Sequence, residues 1–227
     1  MIHTPDSPYK AVLFDLDGTL VDSAGELISS VNLLLKYHGQ DPLPYTQLRP
    51  YASDGSRGLI KQAFAIDETN ANFASLRKEY LVIYQKMLRE EDHPVCLFPG
   101  CAELLTILDT ENIPWGIVTN KPRYLTEIML RQSVWLAKYN VLVCGDDFRP
   151  KPYPDGLIFA SETLGIPPKV CIYVGDHARD VAAGKAAGMK TAAVDYGYAV
   201  DQADMQSWGA DYVFTDVMQI MPLLQPR

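Results

Sequence analysis

Short apolar runs recur along the chain, and each closes on a polar cluster. Tyr9–Phe14 runs into Asp15-Leu16-Asp17-Gly18-Thr19, and Pro114–Thr119 ends in Thr119-Asn120. Asn140–Cys144 ends in Gly145-Asp146-Asp147, Val170–Val174 in Gly175-Asp176-His177, and Thr191–Val194 in Asp195-Tyr196-Gly197. Apolar runs of this length bounded by turn residues predict buried strands. Between them, Cys101–Thr110, Tyr124–Gln132, Asp155–Leu164 and Arg179–Ala187 carry amphipathic patterning of helix length. Strand–helix alternation of this kind predicts an α/β fold, a parallel sheet with helices on both faces. Sites on such sheets form at the carboxyl ends of the strands, where the polar clusters fall.

One stretch breaks the alternation. From Ser23 to about Cys96 no strand pattern occurs, while Leu27–Leu35, Gly58–Phe64 and Phe73–Leu88 read as helices. Ser23 and Glu26 form a capping-box pattern ahead of the first. Roughly 70 residues is too long for a loop in a compact domain. The pattern therefore predicts a helical cap domain over 23–96, inserted into a core domain made of 1–22 and 97–227. Val21–Ser23 would be the exit, and Pro94 and Pro99 the return hinge.

Composition narrows the function. The 227 residues are 48% apolar and 21% charged, which suits a globular protein of one large domain or a core with a small companion. The net charge of −8 argues against a nucleic-acid partner. It does not argue against a phosphorylated small molecule, because local groups and a metal set the local field. The first residues carry no signal-peptide pattern and no run of membrane-spanning length occurs, so the protein is expected to be soluble and cytoplasmic. The four cysteines form no CxxC pair and are expected to be buried free thiols, without zinc.

The candidate chemistry lies in the polar clusters. In Asp15-Leu16-Asp17-Gly18-Thr19 two carboxylates stand two apart at a strand end. Asp15 can attack phosphorus and Asp17 can protonate a leaving alcohol, then activate water. Gly18 permits a tight turn that brings its amide towards phosphoryl oxygens. The plainer reading is an acidic surface turn. Asp176 and Asp180, four apart at a strand-to-helix turn, suit Mg2+, although Asp is also common at helix N-caps. Thr119 and Asn120 offer a hydroxyl and an amide to a phosphoryl group, or simply start a turn. Lys151, between Pro150 and Pro152, is either a fixed ammonium or a solvated loop lysine.

These elements, in this order on an α/β pattern, resemble the haloacid dehalogenase superfamily across nearly the whole chain. The match takes in motif one (Asp15, Asp17), motif two (Thr119), motif three (Lys151) and motif four (Asp176, Asp180). A helical insertion between motifs one and two is similar to that superfamily's first cap class. The resemblance implies a Rossmann-like core with strand order 5-4-1-2-3. It also implies Mg2+ held by Asp15, the Asp17 carbonyl and Asp176, with Asp180 in support.

Within the superfamily, Phe14–Ser23 is similar to phosphoglycolate phosphatases and to N-acetylmuramic acid 6-phosphate phosphatases. Arg57, Trp115–Pro122 and Trp208–Asp211 are closer to the second group. The cap run Ser53-Asp54-Gly55-Ser56-Arg57 would enter the site and choose the leaving group, with Arg57 either clamping a substrate carboxylate or making a surface ion pair. The implied activity is hydrolysis of a small phosphate monoester through an aspartyl-phosphate. A phosphomutase of the same fold would use the same acids. A dehalogenase would have no use for Asp17, and a non-catalytic relative would lack Asp15 or Asp17. His177 is expected to be structural or solvent-facing, and His3, His38 and His93 carry no spacing signal.

Overall fold

The computed structural model describes residues 8–89, 95–198 and 202–225. His3, His93 and the Pro94 hinge position lie outside them. Strands β1 (Ala11–Phe14), β2 (Trp115–Val118), β3 (Val141–Val143), β4 (Cys171–Gly175), β5 (Lys190–Val194) and β6 (Tyr212–Phe214) form one parallel sheet in the order β3-β2-β1-β4-β5-β6. The first five strands stand in the expected order. β6 was not anticipated: it has three residues at the sheet edge and Val213 is exposed, so no continuous buried run marks it.

Both faces of the sheet are covered, which explains the uninterrupted apolar runs. Alternation along the strands sends Val12, Phe14, Ile117, Ile172 and Val174 into the larger core. Ala11, Leu13, Val118 and Tyr173 go into the other. Helix α5 (Cys101–Thr110) covers the first face through Leu104, Leu105 and Leu108. Helices α7 (Asp155–Leu164) and α8 (Ala178–Ala186) cover the second through Leu157, Ala160 and Ala183. Helices α6 (Arg123–Leu130) and α9 (Gln202–Ser207) complete this part.

The stretch between β1 and α5 is helical as expected: α1 (Ala24–Tyr37), α2 (Tyr45–Leu48), α3 (Gly55–Phe64) and α4 (Phe73–Arg89). Leu27, Val31 and Leu34 of α1 are buried with Leu76, Tyr80 and Tyr84 of α4, and this packing continues into the sheet's larger core.

The expected capping box at Ser23 does not form. Ser23 makes no side-chain cap bond; its hydroxyl donates to Asp17 Oδ1 at 2.5 Å. The Tyr198 hydroxyl takes over the helix entry, accepting from the Ser23 and Ala24 amides at 2.6 and 3.0 Å. Of the cysteines, all free, Cys101, Cys144 and Cys171 are buried, whereas Cys96 is exposed.

Candidate active site

The loops after β1, β2, β3 and β4 converge at the carboxyl edge of the sheet. They floor a cavity of about 660 Å3 lined by Asp15, Asp17, Thr119, Lys121 and Lys151 below and by α3 and α4 residues above. Lys151 is buried rather than solvated, and its Nζ lies 2.8 Å from Asp15 Oδ1 and 2.7 Å from Asp180 Oδ1. It also donates to the Val118 carbonyl and the Tyr173 hydroxyl, at 3.1 and 2.8 Å. Burial works against its charge, but the two carboxylates outweigh that and raise its pKa.

Asp15 is buried, and burial pushes its carboxyl up to about 7; Lys151 opposes the rise, while Asp180 and Asp176 add to it. Its Oδ1 accepts from Lys151 and from the Leu16 amide, which leaves Oδ2 without a hydrogen bond among the described residues. Asp180 shifts the other way: burial again opposes ionisation, but Lys151 and Arg179 overcome it and lower its pKa.

Asp176 is fully buried, and burial, then Asp180, raises its pKa. Its Oδ2 accepts from Ser53 Oγ at 2.7 Å and from the Tyr198 amide at 3.0 Å, whereas its Oδ1 is buried without a partner among the described residues. A buried carboxylate oxygen left unpaired is costly unless something else occupies it. Oxygens of Asp15, Asp176 and Asp180 lie within 4.8 Å of one another. Unpaired hard oxygen donors beside further carboxylates fit a divalent cation such as Mg2+.

Gly18 acts through its lack of a side chain. Its φ is +85°, and a Cβ there would sit 2.1 Å from Asp176 Oδ2. Its amide does not face the phosphoryl position as expected, because it donates to the Val21 carbonyl at 2.9 Å. Gly197 holds the other side of Asp176, where a Cβ would come within 2.4 Å of the Asp176 Cβ.

Asp17 is not one of the three clustered carboxylates. Buried Lys121 donates to both its oxygens, at 2.9 and 3.2 Å, and to the Tyr84 hydroxyl of α4 at 2.6 Å. Burial, then Asp17, raises the Tyr84 pKa well above the ordinary phenol value, so it stays neutral. Sequence reasoning gave Lys121 no role, although it directly follows the Thr119-Asn120 pair.

Thr119 is buried and accepts the Lys121 amide at 3.1 Å. Asn120, expected to hold a phosphoryl group, commits its side chain elsewhere. Its Oδ1 accepts the Lys151 amide at 2.8 Å and its Nδ2 donates to the Lys151 carbonyl at 3.1 Å. It fixes the lysine's backbone.

The run Ser53–Arg57 reaches the sheet edge. Besides Ser53 on Asp176, Asp54 accepts from Arg179 Nη1 at 2.7 Å, and the Arg179 guanidinium also donates to the Ser53 carbonyl. His177 caps α8, its Nδ1 accepting the Arg179 amide at 3.2 Å, while its Nε2 lies 3.4 Å from Asp54. Asp180, three residues into the same cap, accepts the His177 amide at 3.1 Å. The N-cap of α8 is thus His177 and not an aspartate, with Asp180 closing the capping box from the third helical position. Gly55 has φ +57° where α3 begins. Arg57 lines the cavity and pairs with Glu68. Arg179 was also missed, although it lies between the two acids of its motif.

Comparison with known proteins shows the family of the chain. The model of the haloacid dehalogenase-like hydrolase family matches residues 12–194. The chain is 40% identical over 212 residues to a phosphoglycolate phosphatase of Xanthomonas campestris, covering 93% of this chain and 94% of that one. It is 35% identical over 216 residues to an N-acetylmuramic acid 6-phosphate phosphatase of Pseudomonas aeruginosa, covering 95% and 94%. Among solved structures, a haloacid dehalogenase family hydrolase of Deinococcus radiodurans with bound phosphate and sodium superposes with a TM-score of 0.72 at 27% identity. That match covers 98% of this chain and all of the other.

Proposed function

The chain belongs to the haloacid dehalogenase-like hydrolase family, among its phosphatases, and from that premise we propose that it is a Mg2+-dependent phosphomonoester hydrolase working through a phosphoryl group on Asp15. The substrate class is a small phosphorylated carboxylic acid or sugar acid, phosphoglycolate or N-acetylmuramic acid 6-phosphate, as named for the two relatives. One observation carries the reading. Lys151 ties down one oxygen of Asp15 and leaves the other without a hydrogen bond among the described residues, and Asp15, Asp176 and Asp180 bring carboxylate oxygens within 4.8 Å of one another.

In this account Asp15 Oδ2 attacks phosphorus; the new O–P bond forms as the ester P–O bond breaks. Asp17 gives its proton to the departing oxygen, and Lys121 stabilises the carboxylate that remains. Asp17 then takes a proton from water, whose oxygen attacks the phosphorus held on Asp15. The P–O bond to Asp15 breaks and both acids are restored. Lys151 and the Thr119 hydroxyl balance charge on the phosphoryl oxygens. Mg2+, held by Asp15, the Asp17 carbonyl and Asp176 with Asp180 behind them, would supply positive charge to those oxygens. The helical segment 23–96 serves as a cap that shapes the pocket and excludes bulk water.

A panel of phosphate monoesters incubated with Mg2+ and assayed for released phosphate tests the proposal. Turnover of an aryl phosphate and of at least one carboxylated ester is expected. A folded preparation that releases phosphate from none of them contradicts it.

A further inference from the structure

The cavity has a second end. Helix α4 lays Arg77, Tyr80, Leu81 and Tyr84 along it, a spacing that puts all four side chains on one helical face. Tyr84 reaches the catalytic end, bonded to the lysine that holds Asp17. Arg77 lies two turns earlier, about 10 Å along the helix axis. There α3 contributes Ser56, Arg57 and Lys61, and Glu68 lines the cavity with them.

The charges at this end do not balance. Arg57 and Lys61 both pair with the single carboxylate of Glu68. Arg77 donates its Nε to Ser56 Oγ at 3.1 Å and has no carboxylate within ion-pairing reach among the described residues. Burial, then repulsion from Arg57, holds its guanidinium below the ordinary value. The fold thus keeps a partly desolvated cation facing a cavity, and an incoming anion would relieve that cost. The terminal nitrogens of Arg77 form a fork suited to a carboxylate, and Ser56 Oγ accepts from Nε while keeping its own proton to donate.

We propose that Arg77 and Ser56 form an anion subsite for a substrate carboxylate, and that its place two turns along α4 from the catalytic end selects substrates with a sugar-sized body between phosphate and carboxylate. The inference rests on the phosphatase reading above and sharpens it. A two-carbon acid such as phosphoglycolate carries its phosphate and carboxylate on adjacent carbons and does not span the two ends. N-acetylmuramic acid 6-phosphate carries them on separate arms of a ring and does.

The test compares N-acetylmuramic acid 6-phosphate with N-acetylglucosamine 6-phosphate, which lacks the carboxylate-bearing arm, and uses an aryl phosphate as control. The wild type is expected to favour the carboxylated sugar in kcat/KM by at least about 10-fold. Arg77→Ala is expected to lower kcat/KM for that sugar about 10- to 100-fold more than for the other, the range of a hydrogen-bonded charge pair. Arg77→Lys should recover part of the preference. Equal losses on the two sugars, or a wild type without preference between them, overturns the subsite; the wild-type ratio decides even where a variant fails to fold. Absence of wild-type activity on all three esters, the aryl phosphate included, is the separate failure of the phosphatase reading.

Discussion

The two ends of the cavity are opposite in charge. At the sheet edge Asp15, Asp17, Asp176 and Asp180 outnumber Lys121 and Lys151, and Asp176 keeps a buried oxygen without a partner. Two turns along α4, Arg57, Lys61 and Arg77 outnumber Glu68. A phosphate dianion is not drawn to an excess of carboxylates unless a cation comes with it. In the proposed function the acid-rich end takes a metal with the phosphate, whereas the proposed subsite at the basic end takes an anion directly. Chemistry and selection are divided between sheet edge and helices, and Tyr84 with Lys121 is the contact through which one touches the other.

Breaking the acid-rich end should have the largest effects. Asp15→Asn keeps the shape but removes the proposed nucleophile, and kcat should fall by about 10^4-fold or more with the melting temperature little changed. Chelation of divalent metal should remove activity reversibly, and Asp176→Ala should raise the Mg2+ concentration needed for half-activity at least about 10-fold. Full turnover in chelator would show that the carboxylate excess serves something else.

The junction should respond less. Lys121→Met leaves Asp17 without its cation and Tyr84 without its donor. We expect kcat to fall about 10- to 100-fold with KM changing much less, since Asp17 acts on the proton and not on binding. A KM change of the same size would place Lys121 in substrate binding instead.

The smallest effect concerns the latch between Asp54 and Arg179. The His177 hydrogen bond and Arg179 together hold the Asp54 carboxyl down at about 2, against the opposing effect of burial. The depressed value means that the contribution is complete above the ordinary 3.8 and fades as pH falls towards 2. The side chain remains 40% exposed, so solvent screens the pair. Asp54→Asn should lower Tm at neutral pH by no more than about 2–4 °C, measured by calorimetry.

The two ends also differ in how far they could be read before the structure. The place of the sheet-edge acids was legible because Asp15, Asp17 and Asp176 follow buried strands, and the strand fixes where the side chain emerges. Helices α5 and α7 were legible to the residue because their apolar periodicity is uninterrupted. What escaped depends on partners distant in sequence. Ser23 reads as a helix cap, but Asp17 takes its hydroxyl and Tyr198, from a turn beyond β5, takes its place. Asn120 reads as a ligand group, but a loop 31 positions away claims both its ends. The packing of α3 against α4 leaves Glu68 on Arg57 and, among the described residues, no carboxylate on Arg77.

The central claim is that Asp15 carries the phosphoryl group. Excess enzyme mixed with a radiolabelled aryl phosphate and Mg2+, quenched in acid within the first turnover and digested, locates the label directly. The account predicts acid-stable, base-labile label on the peptide containing Asp15 and none in Asp15→Asn. Label on another residue, or turnover retained by Asp15→Asn, would contradict it.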